Sequence, residues 1–205
     1  MDLSLPPQTR AALLLQKMEL PEKLAMLHGA TVPGWGTECY NKTTGKIPDP
    51  TCAYTGNVAA NTRLGIPPLH LNDGPQGFRE NTHPGTTTQF PSGLAVAASW
   101  DVASMEAWGR AMGAEFFAKG ANVQLGPGVC LARVPNDGRN FEYLSGEGDE
   151  TPTAAACQRT NSCTAKSDPF LGYKLAQPAV AGIQSQRVIG KYRNSADLAP
   201  PGLLD

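Results

Sequence analysis

With 205 residues the chain is long enough for one large domain or two small ones. Its 17 Lys and Arg against 18 Asp and Glu leave a formal charge of −1, which removes the electrostatic case for nucleic acid or an anionic membrane as partner. The longest apolar stretch, "GLAVAASW" (93–100), falls far short of the ~20 residues a membrane span needs, and the acidic start "MDLSLPPQTR" gives no expectation of a secretory leader.

In chain order, residues 8–28 read as helical. Leu14, Leu15, Met18, Leu20, Leu24 and Leu27 recur at near-helical spacing, Pro21 suits a first turn and Gly29 a C-terminal cap. Two helices meeting near Glu19 and one kinked helix are both compatible with the pattern. Residues 29–62, rich in Gly, Pro, Thr and Asn, read as a long loop. Within it Cys39 and Cys52 flank "YNKTTGKIPDPT", where a disulfide would clip the loop, and "NKT" at Asn41 is a glycosylation sequon. Chance accounts for the sequon equally well, and the compartment stays open. The five cysteines include no C-x-x-C, and His28, His70 and His83 have no metal-ligand spacing, so no zinc site is expected. "NKTTGK" lacks the first glycine and the final Ser/Thr of a phosphate loop, which rejects nucleotide binding on that motif.

Leu69–Asn72 is the first strand candidate. "QFPSGLAVAASW" holds a second short buried segment, and Asp101 then reads as a helix N-cap. Met105, Trp108, Met112 and Phe116 form one stripe of a helix closed by Gly120, a pattern for core packing. "ANVQLGPG" (121–128) is the next strand, with Val123 and Leu125 alternating against polar neighbours. Strand, helix and strand imply a parallel α/β architecture, in which loops at the C-terminal ends of the strands carry function. Asp73 lies in such a loop and "VPNDGRNFEYLSGE" (134–147) in the next, so the two are expected at one mouth.

Four blocks in order make the reading specific: "LNDGPQGFR", "FPSGLAVAASWD", "LGPGVCLARVPNDGRNFEYLSGE" and "DPFLGYKLAQPAVAGIQSQRVI". Together they resemble the first part of glycoside hydrolase family 3, and its β-glucosidases most. The resemblance implies a (β/α)₈ barrel followed by an α/β sandwich domain, with retaining release of terminal β-linked glucose and no metal or organic cofactor. By motif it implies that Asp73, Arg79 and Arg139 bind the terminal sugar. The chemistry suits those types: a carboxylate accepts from two neighbouring hydroxyls, and each charge-assisted bond is worth about 1.5–3 kcal/mol where water is excluded. An arginine fork donates to the same hydroxyls. A structural ion pair across the turn is the bland alternative for Asp73 and Arg79. Glu142 and Glu147 sit in the Arg139 loop and invite confusion with a catalytic acid pair; a structural role is expected for Glu147.

The expected fold class is α/β, a partial (β/α)₈ TIM barrel of the first few βα units with an inserted disordered loop. Residues 1–147 and 168–190 are assigned to the barrel. Residues 148–167 contain no aromatic residue and no Val, Ile or Leu, and are read as the disordered insertion, by origin translated intron or gene-model error. Residues 191–205 are an atypical, Pro-containing tail: Lys191 is followed by Tyr192, so the family's sugar-binding Lys-His pair is not carried over. The family's nucleophile is an aspartate on a later strand and its acid/base a glutamate in the next domain. Neither has a counterpart here, so the sequence implies part of a sugar pocket without a catalytic pair. The expected partner is a β-glucoside or oligosaccharide; a β-xylosidase or β-N-acetylglucosaminidase of the same family, and a non-catalytic sugar-binding or unstable fragment, are the alternatives.

Overall fold

A computed structural model of the chain describes residues 4–29, 54–80, 85–129, 138–144 and 169–190. All five cysteines, the sequon at Asn41, Glu147, the 148–167 insertion and the 191–205 tail lie outside the described residues.

The N-terminal helical stretch is two helices, α1 (Pro7–Lys17) and α2 (Leu20–Ala25). Each carries a proline in its first turn, where the missing N–H costs nothing. At the start of α2, Glu22 accepts from the Glu19 N–H at 2.8 Å, half of a capping box. Gly29 is not the cap expected of it, because α2 ends at Ala25. Leucine spacing makes these helices but does not bury them: Met18 is buried, whereas Leu20 and Leu27 remain 67% and 81% exposed.

The long loop expected over 29–62 is corrected at its end, where Gly56–Val58 forms β1. Three residues are too few to show a period; pairing with β2 (Leu69–Asp73) defines them. The sheet runs β1-β2-β3-β4, with β3 at Val123–Leu125 and β4 at Ile189–Gly190. β1 is antiparallel to β2, and β2, β3 and β4 are mutually parallel. The crossover from β2 to β3 carries α3 (Gly93–Ala97) and α4 (Val102–Ala118), and that from β3 to β4 carries α5 (Pro169–Gln184). The short buried segment expected near 93–100 is thus a single helical turn, capped by Ser92, whose side chain accepts from the Ala95 N–H. Asp101 caps α4, accepting from the Ala103 N–H at 2.9 Å.

The stripe on α4 is core: Met105, Met112 and Phe116 are fully buried and Trp108 nearly so. α4 and α5 approach until backbone meets backbone. A Cβ on Gly109 would lie 2.3 Å from the Ala179 carbonyl oxygen, and one on Gly182 would lie 2.4 Å from that of Glu106. One apolar cluster joins α4, α5 and Leu144; a second gathers Phe78, Phe116, Ile183 and Val188. The polar-outward alternation expected of β3 fails at Gln124, which is fully buried and donates to the Gly74 carbonyl oxygen at 3.1 Å. No described helix is long and apolar enough to cross a membrane.

Candidate active site

At the C-terminal end of β2 the chain leaves Asp73 and enters a turn that only glycine permits. Gly74 and Gly77 have φ of +146° and +132°. A Cβ on Gly74 would sit 1.7 Å from the Gly77 carbonyl oxygen, so the turn folds back on itself. Three contacts set the return. The Phe90 N–H donates to the Gln76 carbonyl oxygen at 3.2 Å, and the Arg79 N–H to that of Asp73 at 3.2 Å. Phe78 is buried edge-to-face against Phe116, with ring centroids 5.2 Å apart. This geometry brings Arg79 back beside the acid it follows by six residues, Nη1 standing 3.4 Å from Asp73 Oδ2.

The second wall is the segment 138–144, a turn of 3₁₀ helix at Asn140–Glu142. It is tied to the chain beyond β3, the Leu144 N–H donating to the Gly128 carbonyl oxygen at 3.0 Å, and Leu144 is fully buried in the main cluster. Arg139 meets Glu142 through two parallel bonds, Nε to Oε1 at 3.1 Å and Nη2 to Oε2 at 2.9 Å. The hydrogen bonds that Arg139 donates to Glu142, then the charge of Glu142, raise the Arg139 pKa above the ordinary arginine range; burial opposes this, and Tyr143 and Asp73 add to it. Arg139 is therefore a permanent positive charge that feels Asp73 across the gap. Between the walls lies a cavity of about 680 Å³. Asp73, Arg79 and Arg139 all line it, so the structure brings the three sequence-assigned residues to one cleft.

A third side comes from Thr87, Thr88 and Gln89. It is pinned to the end of α4, Glu115 accepting from the Thr88 N–H at 2.9 Å and Lys119 reaching Glu80 at 2.9 Å. Sequence reasoning missed these threonines, together with Gln76 and Phe141, which also line the cavity. Gln76 had a visible signal, its place inside the "DGPQGFR" block. Its Nε2 is buried with no hydrogen-bond partner. Glu142, a tempting acid by sequence, holds Arg139 instead. Among the described residues no group of three or more His, Cys, Asp or Glu is arranged to hold a metal ion.

Residues 49–158 match the family model described as the glycosyl hydrolase family 3 N terminal domain. The chain belongs to glycosyl hydrolase family 3. It is 38% identical over 137 residues to beta-glucosidase A of Aspergillus kawachii, covering 66% of this chain and 14% of that protein. To beta-glucosidase B of Emericella nidulans it is 31% identical over 185 residues, 89% of this chain and 17% of the relative. The chain thus spans about a seventh to a sixth of the length of these relatives. In three dimensions it resembles beta-glucosidase 3B of Thermotoga neapolitana in complex with glucose, with a TM-score of 0.66 at 29% identity, covering 88% of this chain and 22% of that one. The beta-D-glucoside glucohydrolase of Trichoderma reesei gives 0.63 at 27% identity, covering 89% and 20%.

Proposed function

We propose that this family 3 chain forms the glucosyl-binding part of a retaining β-glucosidase pocket, built on the first βα units of a (β/α)₈ barrel. One observation carries the reading: Asp73 at the end of β2, Arg79 in the turn that follows and Arg139 in the 138–144 segment line a single cavity at the C-terminal ends of parallel strands. In it Asp73 accepts from two neighbouring hydroxyls of a terminal β-D-glucosyl residue, while Arg79 and Arg139 donate to hydroxyl oxygens. The cavity exceeds the volume of one sugar ring, leaving room for the rest of a β-glucoside.

Retaining hydrolysis requires a nucleophile and an acid/base about 5–5.5 Å apart. Among the described residues, the two carboxylates that line the cavity, Asp73 and Glu142, each face an arginine. Such pairing suits grip and positioning, each carboxylate having an arginine as its geometric partner. On the family resemblance alone, the two reacting carboxylates are assigned to a later barrel strand and a following domain. The chain on its own binds glucose without turnover.

Two assays of the purified 205-residue chain test this. Titration with D-glucose is expected to show saturable binding that Asp73→Ala removes, and a chromogenic β-glucoside is expected to stay intact. Turnover abolished by Asp73→Ala would overturn the division of labour, and absence of any sugar binding would overturn the sugar reading. A preference for xylose or N-acetylglucosamine over glucose would move the assignment to a sister activity within the family.

A further inference from the structure

Directly behind the Asp73–Arg79 pair, one hydroxyl and one carboxamide join its two ends. The Asp73 N–H donates to Thr55 Oγ1 at 3.2 Å, and that hydroxyl donates its own proton to Asn72 Oδ1 at 3.0 Å. Asn72 Nδ2 then donates to the Arg79 carbonyl oxygen at 3.0 Å. Asn72 is fully buried. Its carboxamide is held at both ends, so the relay has one direction only: oxygen toward Thr55, nitrogen toward Arg79. Thr55 is the residue just before β1, and continuing the Gly56–Leu71 register by one step sets it opposite Asn72.

The geometry points to Thr55 and Asn72 as positioning residues for the sugar-binding pair, an inference that rests on the glucosyl-binding reading. Neither side chain is among those lining the cavity. Each acts through the backbone of its neighbours: Thr55 fixes where β2 releases Asp73, and Asn72 fixes where the glycine turn delivers Arg79. A strand-edge threonine serving only to satisfy a buried asparagine would need one bond. Here the same hydroxyl also takes the amide of the acid, and the carboxamide's other end takes the carbonyl of the arginine. The Arg79 N–H closes the turn on the Asp73 carbonyl oxygen, and the relay anchors both sides of that closure from behind. The edge strand β1, which carries no cavity residue, thereby governs the spacing of the two charges that do the binding.

The test uses the full chain with Thr55→Val, which keeps the volume and removes the hydroxyl, and Thr55→Ser, which restores it. Two readouts are taken, the dissociation constant for D-glucose and the hydrogen-exchange rates of individual amides. Thr55→Val is expected to weaken glucose binding about five- to tenfold, the equivalent of losing one hydrogen bond's worth of alignment. It is also expected to speed exchange at the Asp73 amide, while amides within α4 keep their protection. Thr55→Ser returns both values toward those of the unsubstituted chain. Unchanged affinity in Thr55→Val, with the unsubstituted chain binding normally, overturns the positioning role alone. If the unsubstituted chain binds no glucose, the sugar reading fails by itself and the exchange rates still decide the relay: faster exchange at Asp73 supports it and unchanged exchange overturns it.

Discussion

The two facing walls of the cavity are held in opposite ways. The wall from Asp73 to Arg79 is fixed by backbone: two glycines that no other residue can replace, and backbone groups of Asp73 and Arg79 that each have a fixed partner. The wall from 138 to 144 is fixed by side chains, with Leu144 sunk in the core and Glu142 gripping Arg139. A backbone-built wall gives a carboxylate one position. A wall built on one anchor and one ion pair lets its arginine, 67% exposed, adjust to what arrives. The pocket thus opposes a rigid acceptor to an adaptable donor.

The sharpest way to break this contrast is to attack each wall by its own means. Gly74→Ala places a methyl 1.7 Å from the Gly77 carbonyl oxygen, a clash with backbone that no rotamer relieves. It is expected to cost about 4–5 kcal/mol, at the far end of what single substitutions do, read by denaturant unfolding. Leu144→Ala removes a fully buried side chain and is expected to cost about 3 kcal/mol, with early proteolytic cleavage confined to the 138–144 wall. A milder loss from Gly74→Ala than from Leu144→Ala would reverse the assignment of the rigid wall.

Binding draws the same distinction at smaller energies. Asp73→Asn keeps the shape and removes the charge, and should weaken D-glucose by about 10- to 100-fold. Glu142→Gln only loosens Arg139 and should weaken it by about two- to fivefold, because an exposed pair is worth ~0–1 kcal/mol. Equal losses in the two variants would mean that both walls are equally rigid.

Gln76, on the rigid wall, sharpens the comparison from the other side. Its Nε2 is buried and has no protein partner among the described residues, a cost the turn carries. Gln76→Met, of similar length and without a donor, is therefore expected to raise stability by about 1 kcal/mol in thermal unfolding. A drop in melting temperature would show that the carboxamide is bonded after all.

What the sequence disclosed follows the range of the forces involved. The stripe Met105, Trp108, Met112 and Phe116 is legible because a 17-residue helix repeats its period several times, and Leu69–Asp73 because an apolar run ends on a turn signal. β1 is illegible: three residues acquire their conformation from pairing with β2. Gln124 misleads for a related reason, since the carbonyl that makes its burial tolerable belongs to Gly74, 50 residues away in sequence. The strand–helix–strand order places Asp73 and the loop of Arg139 at one mouth, but which of their side chains bind could be selected only through the motif blocks. Thr87 and Thr88 reach the cavity because Glu115 and Lys119 hold their loop from a helix encoded later.

The smallest effect belongs to an acid–guanidinium pair that does not line this cavity, which isolates what the pairing does alone. Glu22 on α2 takes two bonds from Arg63, and the same guanidinium donates to the Lys17 carbonyl oxygen at 2.9 Å, so the pair ties the helical break to the segment before β2. The Arg63 bonds, then the Glu19 amide, hold the Glu22 carboxyl at about 2, down from an ordinary 4.5. A carboxyl depressed by folding adds stability that is present above its unfolded value and lost as pH falls toward the folded one. Melting temperature should therefore decline as pH drops from 4.5 to 2, and Glu22→Gln should flatten that part of the profile while leaving glucose affinity at neutral pH unchanged. A Glu22→Gln variant with the same acid limb as the unsubstituted chain would place the acid sensitivity elsewhere. One that lost glucose binding would mean that the N-terminal helices, apolar and exposed as they are, take part in shaping the cavity.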